Sequence, residues 1–262
     1  MRVGLGQLNI IWENKDANKK KCEKIVSEAR QKCVDFLIFP EMTLTGFTMQ
    51  TGIMGEALNN SDTIRFFKKC AMTYELAIAY GIIIDSNDKA YNNCIIVNAS
   101  GEVICNYSKI HPFTAGKEAA YYSGGNQIVF CDVKEFTVAP TICYDLRFPE
   151  IYQAASKKAG LIIVIANWPE TRAHHWHTLL KARAIENQSY VVGVNKTGQD
   201  PKLNYLGGSV IISPFGNIIT KITQKEGLIT GDINMKEVND IRVAMNLKSD
   251  RREELYIRLF QK

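Results

Sequence analysis

The stretch TVAPTICYDLRFPE, residues 137–150, decides how the chain is read. It opens as a short apolar strand, runs into Cys143, and continues through the polar cluster Tyr144, Asp145 and Arg147. Pro149 and Glu150 then start a helix, because proline fits the first turn, where its missing N–H has no partner to lose. A thiol at the abrupt end of a buried strand is held rigidly and still faces a ligand. Backbone N–H groups at such a strand-to-helix turn point outward and favour negative charge. Most free cysteines are small buried hydrophobes, so the rest of the chain must supply partners before Cys143 is read as reactive.

Working outward, residues 128–133 and 136–142 form a hairpin that delivers Cys143. Beyond it come a helix over 149–158, a buried strand over 161–166 ending in Asn167-Trp168-Pro169, a helix over 177–187 and a strand over 190–194. Toward the N-terminus, residues 2–9 read as a strand. Residues 14–32 read as an amphipathic helix, with Ala17, Cys22, Ile25, Val26 and Ala29 on a helical period. DFLIF, 35–39, and LAIAYGIII, 76–84, are continuously apolar, as strands buried on both faces are. Ser61 and Asp62 are N-cap candidates for a helix reaching Tyr74. Residues 90–97 and 103–107 make a hairpin, and 109–126 is a long loop of the kind that usually carries function. After residue 200 a hairpin is expected from 208–213 and 218–222, then a strand over 227–233 and a helix over 236–245. The charged tail from Lys248 is expected to leave the core.

Strands outnumber helices, and hairpins alternate with crossovers. This predicts an α/β fold of two mixed β-sheets packed face to face and flanked by helices, a four-layer sandwich. The same pattern also fits one large mixed sheet. No linker or low-complexity tract interrupts the chain, so residues 1–262 are expected to form a single domain.

Composition narrows the function classes. The 262 residues are 46% hydrophobic and 23% charged, as in ordinary globular proteins. The net charge of +5 is spread among both signs, which gives no footprint for nucleic acid. The start, MRVGLGQLNI, lacks the pattern of a signal peptide, and no apolar run approaches membrane-spanning length. Seven scattered cysteines without a C-x-x-C pair read as reduced thiols in a cytoplasmic protein. Cys22, Cys33, Cys70, Cys94, Cys105 and Cys131 are expected to be packing residues.

Three apolar strands run into a charged or reactive residue: 36–39 into Glu41, 103–107 into Lys109, and 136–142 into Cys143. Singly, a loop glutamate or a solvated lysine means little. Together they suggest a constellation at strand ends, where α/β proteins gather their sites. The chemistry is complementary. A carboxylate can take the thiol proton, and a fixed ammonium with a backbone N–H can hold the oxyanion of a tetrahedral intermediate. His174, His175 and His177 do not make a metal site, because His174 and His175 cannot share a helix face and no cysteine or carboxylate stands at ligand spacing.

PEMTLTGF (40–47), YSKIHPF (107–113) and ICYDLRFPE (142–150) resemble the three catalytic motifs of the nitrilase, or carbon–nitrogen hydrolase, superfamily, in order. The resemblance covers nearly the whole chain. NWPETRAHHWHTLLKARAIENQSYVVGVNKTG (167–198), YLGGS (205–209) and PFG (214–216) look like its ω-amidase branch. It implies an αββα sandwich that pairs into homodimers or higher homo-oligomers. It implies Glu41 as general base, Cys143 as nucleophile, and Lys109 with the Tyr144 N–H as oxyanion donors. It implies Glu118 as a second glutamate that positions the amide and the hydrolytic water. The course is a thioester on Cys143, released by water, with no metal or organic cofactor.

In relatives acting on short ω-amides, the arginine at the position of Arg147 binds the substrate carboxylate, for which a guanidinium offers a two-pronged fork. Its alternative is a structural pair with Asp145 or Glu150. Trp168 and Arg172, in the NWPETR loop, are expected to shape and charge the pocket. The expected substrate is a small dicarboxylate monoamide of the 2-oxoglutaramate or 2-oxosuccinamate type. Hydrolysis of deaminated glutathione or of an N-carbamoyl amide is the alternative within the superfamily. A silent binding protein of the same fold is the alternative outside enzymes.

Overall fold

The computed structural model describes residues 1–261. Its elements run β1 (Arg2–Gln7), α1 (Lys15–Gln31), β2 (Phe36–Ile38), α2 (Thr51–Met54), α3 (Asp62–Tyr74), β3 (Ala77–Ile84), β4 (Tyr91–Val97) and β5 (Val103–Ser108). Then follow α4 (Glu118–Tyr121), β6 (Cys131–Val133), β7 (Phe136–Ile142), α5 (Pro149–Ala155), β8 (Leu161–Ala166), α6 (Ala173–Asn187) and β9 (Tyr190–Asn195). The chain ends with β10 (Thr197–Gln199), β11 (Asn204–Leu206), β12 (Val210–Ile212), β13 (Gly227–Asp232), α7 (Met235–Ala244) and α8 (Glu253–Phe260).

Two mixed sheets result, ordered β13-β1-β2-β3-β4-β5 and β12-β9-β8-β7-β6, which resolves the choice between one sheet and two. Their facing sides share one core: Val3, Leu5, Phe36 and Ile96 from the first sheet meet Phe136, Ile163, Ile165 and Val192 from the second. The outer face of the first sheet packs on α1 and α3 through Ile25, Val26, Phe67, Ile78 and Tyr80. The outer face of the second packs on α5 and α6 through Tyr152, Trp176, Leu180, Ile162 and Val164. The layers are therefore helix, sheet, sheet, helix. Strand β8 shows why its run is continuously apolar: Leu161, Ile163 and Ile165 point into the middle layer, while Ile162, Val164 and Ala166 point out under the helices.

Helix α3 starts where its cap predicts, with the Ser61 side chain accepting from the Ile64 N–H at 3.0 Å. Other expectations need correction. Residues 218–222 form no strand. Ile218 bridges Ile212 once, and Ile218, Ile219 and Ile222 stay exposed, so this apolar run has no second face to pack on. Helix α6 begins at Ala173, taking in His174, His175 and Trp176, because Trp176 is buried against the second sheet. The 109–126 loop contains the short helix α4, and an unforeseen hairpin, β10–β11, follows β9. The tail leaves the core but not the surface. It returns as α8 beside α5, held by Lys157–Glu253 at 2.7 Å and by Arg251 to Gln153 at 2.8 Å. Cys33 is exposed and left-handed at φ +53°, where helix α1 has ended, so it is no packing residue.

Candidate active site

Glu41 sits just past β2, in a loop that crosses β3 very closely. A Cβ on Gly81 would lie 2.2 Å from the Met42 nitrogen, so only glycine lets the loop pass. Thr43 ties the crossing down. Its hydroxyl donates to the Pro40 carbonyl at 2.6 Å and accepts from the Gly81 N–H at 2.9 Å. Lys109 follows β5. Its N–H donates to the Asn92 carbonyl at 2.9 Å, and its carbonyl accepts from Gly125 at 2.8 Å.

These side chains converge in the interior. Glu41 and Glu118 are 0% exposed and Lys109 is 1% exposed. The Lys109 ammonium donates to Glu41 Oε1 at 3.1 Å and to Glu118 Oε1 and Oε2 at 3.0 and 2.8 Å. The backbone N–H of Phe113 completes Glu118 at 2.6 Å. That of Asn167 donates to Glu41 Oε2 at 2.8 Å, and the Asn167 side chain donates to the Glu41 carbonyl at 2.8 Å. Such charges are tolerable in a core only when paired and hydrogen-bonded in this way. Burial by itself would push the Lys109 ammonium down, but Glu41 and Glu118 outweigh it and hold Lys109 above the ordinary lysine range.

Cys143 ends β7 in the left-handed region, at φ +45°. A β-region or helical conformation is normal for cysteine, and such a departure costs of order 1–3 kcal/mol, sustained by surrounding contacts. Asp145 is the main one. This fully buried carboxylate accepts from the Ile142 N–H at 3.0 Å, the His111 N–H at 3.0 Å and the Tyr107 hydroxyl at 2.7 Å. The His111 ring, stacked on Phe148 at 3.7 Å, also touches it at 2.9 Å. Tyr107 and His111 flank Lys109, so Asp145 clamps the Cys143 turn to the lysine segment. Burial pushes the Cys143 thiol well up. The Glu41 charge adds to this, Lys109 opposes it, Glu118 adds again, and the Asn167 N–H opposes it. At neutral pH the resting sulfur is therefore a thiol, and acting as a nucleophile would require a base.

The pocket over Cys143 has a free volume of about 50 Å³. Glu41, Lys109, Tyr144, Arg147, Trp168 and Arg172 all line it, while Glu118 lies behind Lys109. Arg147 takes neither structural partner considered for it. Its guanidinium stacks on Trp168 at 4.8 Å and reaches the His175 ring at 3.3 Å. Arg172 stacks on Phe113 at 5.5 Å. Among the described residues neither guanidinium forms a salt bridge. His177 faces the Gly208 carbonyl, and no group of described residues is arranged as a metal site. A wider groove of about 620 Å³ lies between α5 and α8, but it holds no nucleophile.

Sequence reasoning missed Asn92, the role of Asp145, and the pocket lining by Phe47, Leu203 and Tyr205. Asp145 had a signal: a carboxylate two residues past a reactive cysteine at a tight turn. Asn92 had none, because YNNC reads as ordinary strand.

The carbon-nitrogen hydrolase family profile matches residues 2–243. The 2-oxoglutaramate amidase of Bacillus subtilis is 31% identical over 95% of this chain and 97% of its own length. The deaminated glutathione amidase of Dictyostelium discoideum is 32% identical over 83% of this chain and 82% of its own. The crystal structure of XC1258 from Xanthomonas campestris, a CN-hydrolase superfamily protein with an arsenic adduct in its active site, superposes with a TM-score of 0.90 at 27% identity. It covers 96% of this chain and 97% of that one. With three motifs converging on one pocket and this similarity along nearly its whole length, the chain belongs to the carbon–nitrogen hydrolase, or nitrilase, superfamily, in its ω-amidase-like branch.

Proposed function

We propose that this carbon–nitrogen hydrolase releases ammonia from the terminal amide of a small dicarboxylate monoamide, such as 2-oxoglutaramate or 2-oxosuccinamate. Glu41 takes the proton from Cys143, and the sulfur attacks the amide carbon. The oxyanion is held by the Lys109 ammonium and the Tyr144 N–H, one of the first donors of a turn that offers them no partner within itself. The C–N bond breaks as Glu41 returns the proton to nitrogen, and ammonia leaves a thioester. Water then attacks the thioester carbon, giving its proton to Glu41. The C–S bond breaks and the sulfur is reprotonated. Glu118, behind Lys109, fixes the ammonium and through it positions the amide and the water.

One observation carries the substrate class: a pocket of about 50 Å³ that has the nucleophile at one end and the unpaired guanidiniums of Arg147 and Arg172 in its wall. A second, substrate-borne carboxylate fits that charge. Deaminated glutathione and N-carbamoyl amides would be attacked by the same nucleophile, so substrate comparison separates them. Ammonia release across 2-oxoglutaramate, 2-oxosuccinamate, deaminated glutathione, N-carbamoyl amino acids, aliphatic amides and nitriles decides between them. Fastest turnover of a nitrile or a neutral amide would sink the carboxylate reading. An unreactive Cys143 and no turnover of anything would favour a silent binding protein.

The chain acts as one catalytic domain in a homodimer or higher homo-oligomer. The exposed Ile257, Leu259 and Phe260 of α8 are apolar side chains for a second copy to cover, and light scattering on purified protein tests it. None of the seven cysteines is paired, which suits the cytoplasm.

A further inference from the structure

Asn92 lies at the start of β4, opposite Ile83 of β3, and is 1% exposed. Its neighbour Asn93 bonds Asn106 on the adjacent strand, as a sheet residue ordinarily does. Asn92 does something else. Its carboxamide nitrogen has two protons, and it places one on each buried glutamate: 2.7 Å to Glu41 Oε1 and 2.9 Å to Glu118 Oε1. Those same two oxygens are the ones the Lys109 ammonium touches, at 3.1 and 3.0 Å. The four groups close a ring in which two donors alternate with two carboxylates. Asn92 also holds Lys109 from the main chain, its carbonyl accepting the Lys109 N–H at 2.9 Å.

We propose that Asn92 is a positioning residue that holds Glu41 and Glu118 in register on either side of Lys109 and so keeps Glu41 available as the base. The proposal rests on the reading of Glu41 as general base. Two carboxylates this close repel each other and tend to share a proton unless donors stand between them. One ammonium cannot serve both evenly, since Lys109 touches both oxygens of Glu118 and only one of Glu41. Asn92 adds a second donor to Glu41 Oε1, while the Asn167 N–H serves Oε2. The amide has one workable orientation, because turning it over would press its oxygen against two carboxylates. In the orientation present that oxygen is buried without a partner. An unpaired buried acceptor is destabilising, so the arrangement sacrifices stability to direct both N–H groups at the site.

The test compares wild type with Asn92→Leu, which keeps the volume and removes both donors, and Asn92→Asp, which keeps the shape and replaces the donors with a charge. Three measurements are made: kcat and KM for ammonia release against pH, the rate of Cys143 alkylation by iodoacetamide against pH, and thermal melting. A carboxylate that loses a donor binds its proton more tightly. The acid limbs of both the kcat/KM and alkylation profiles should therefore move to higher pH, by about one unit for Asn92→Leu and by more for Asn92→Asp. Turnover should fall roughly a hundredfold with KM within about threefold. Unmoved acid limbs, with activity lost only in step with melting temperature, would make Asn92 a packing residue and overturn the proposal. If Asn92→Leu does not fold, the isosteric Asn92→Asp carries the comparison. If wild type hydrolyses no amide at all, the proposed function fails separately, while the alkylation profile still decides the role of Asn92.

Discussion

The two ends of the pocket are built on opposite principles. At the reacting end Glu41, Glu118, Lys109 and Asn92 are buried, and every charge is met by a partner inside the protein. At the far end Arg147 is part-exposed and rests on Trp168, Arg172 rests on Phe113, and neither guanidinium forms a salt bridge among the described residues. The first arrangement is self-sufficient and rigid, as preorganised catalysis requires. The second leaves two guanidiniums without an acidic partner, which the carboxylate of the proposed substrate would supply. A change at the reacting end should therefore cost rate, and often fold. A change at the far end should cost selectivity and leave the fold alone.

The sharpest break is the nucleophile itself. Cys143→Ala should lower turnover to background, a loss of roughly a millionfold by analogy with other covalent hydrolases, with the fold unchanged by circular dichroism. Full activity in that variant would refute the mechanism. Lys109→Met comes next. It removes the ammonium between two buried carboxylates, so about 3–5 kcal/mol of stability should go, along with roughly a thousandfold in kcat. Denaturant titration and steady-state kinetics measure both, and a variant that melts like wild type would show that the buried charges are not mutually dependent.

Arg147→Met probes the other end. It should reduce kcat/KM for a carboxylate-bearing amide by roughly thirty- to a hundredfold, mostly through KM. Its melting temperature should stay within about 2 °C, because a surface-facing group away from buried networks usually contributes little. A collapse in kcat at constant KM would assign Arg147 to the reacting end. The smallest effect concerns protonation. The Cys143 thiol is pushed up by burial and then by Glu41, so Glu41→Gln removes a raising charge and should lower the thiol pKa. Ultraviolet thiolate absorbance against pH, corrected with Cys143→Ala, reads this directly. The variant should thus form thiolate more easily and hydrolyse amide far more slowly, because the base that recycles the proton is gone. A thiol pKa that stays put or rises would show that Glu41 does not face the sulfur.

The same division governs what could be read from sequence. Glu41, Lys109 and Cys143 were legible as candidates because each follows a short, mostly apolar strand, where a charged or reactive group stands out. The helix layers were legible from periodicity in α1 and from the Ser61 cap of α3. Asn92 was not, since its meaning depends on β4 lying beside β5 and on a loop bringing in Glu118, and polar residues at strand starts are common. Gly81 carries no signal within the apolar run 76–84, and only the crossing of the Glu41 loop explains it. The run at 218–222 was misread because apolar content alone does not distinguish a strand from exposed chain beside a three-residue edge. Cys33 was misjudged because cysteine is usually buried, and the helix end that exposes it is a matter of one residue's backbone.

The contrast between a closed reacting end and an open recognition end is tested most directly by a selectivity ratio. Ammonia release is measured from 2-oxoglutaramate and from an analogue whose carboxylate is replaced by an uncharged group of the same size, in wild type and in Arg147→Met. The account predicts that wild type prefers the carboxylate form by roughly a hundredfold in kcat/KM and that the preference largely disappears in the variant, while turnover of the uncharged analogue hardly changes. Equal rates on the two amides in wild type, or a preference that survives loss of Arg147, would contradict it.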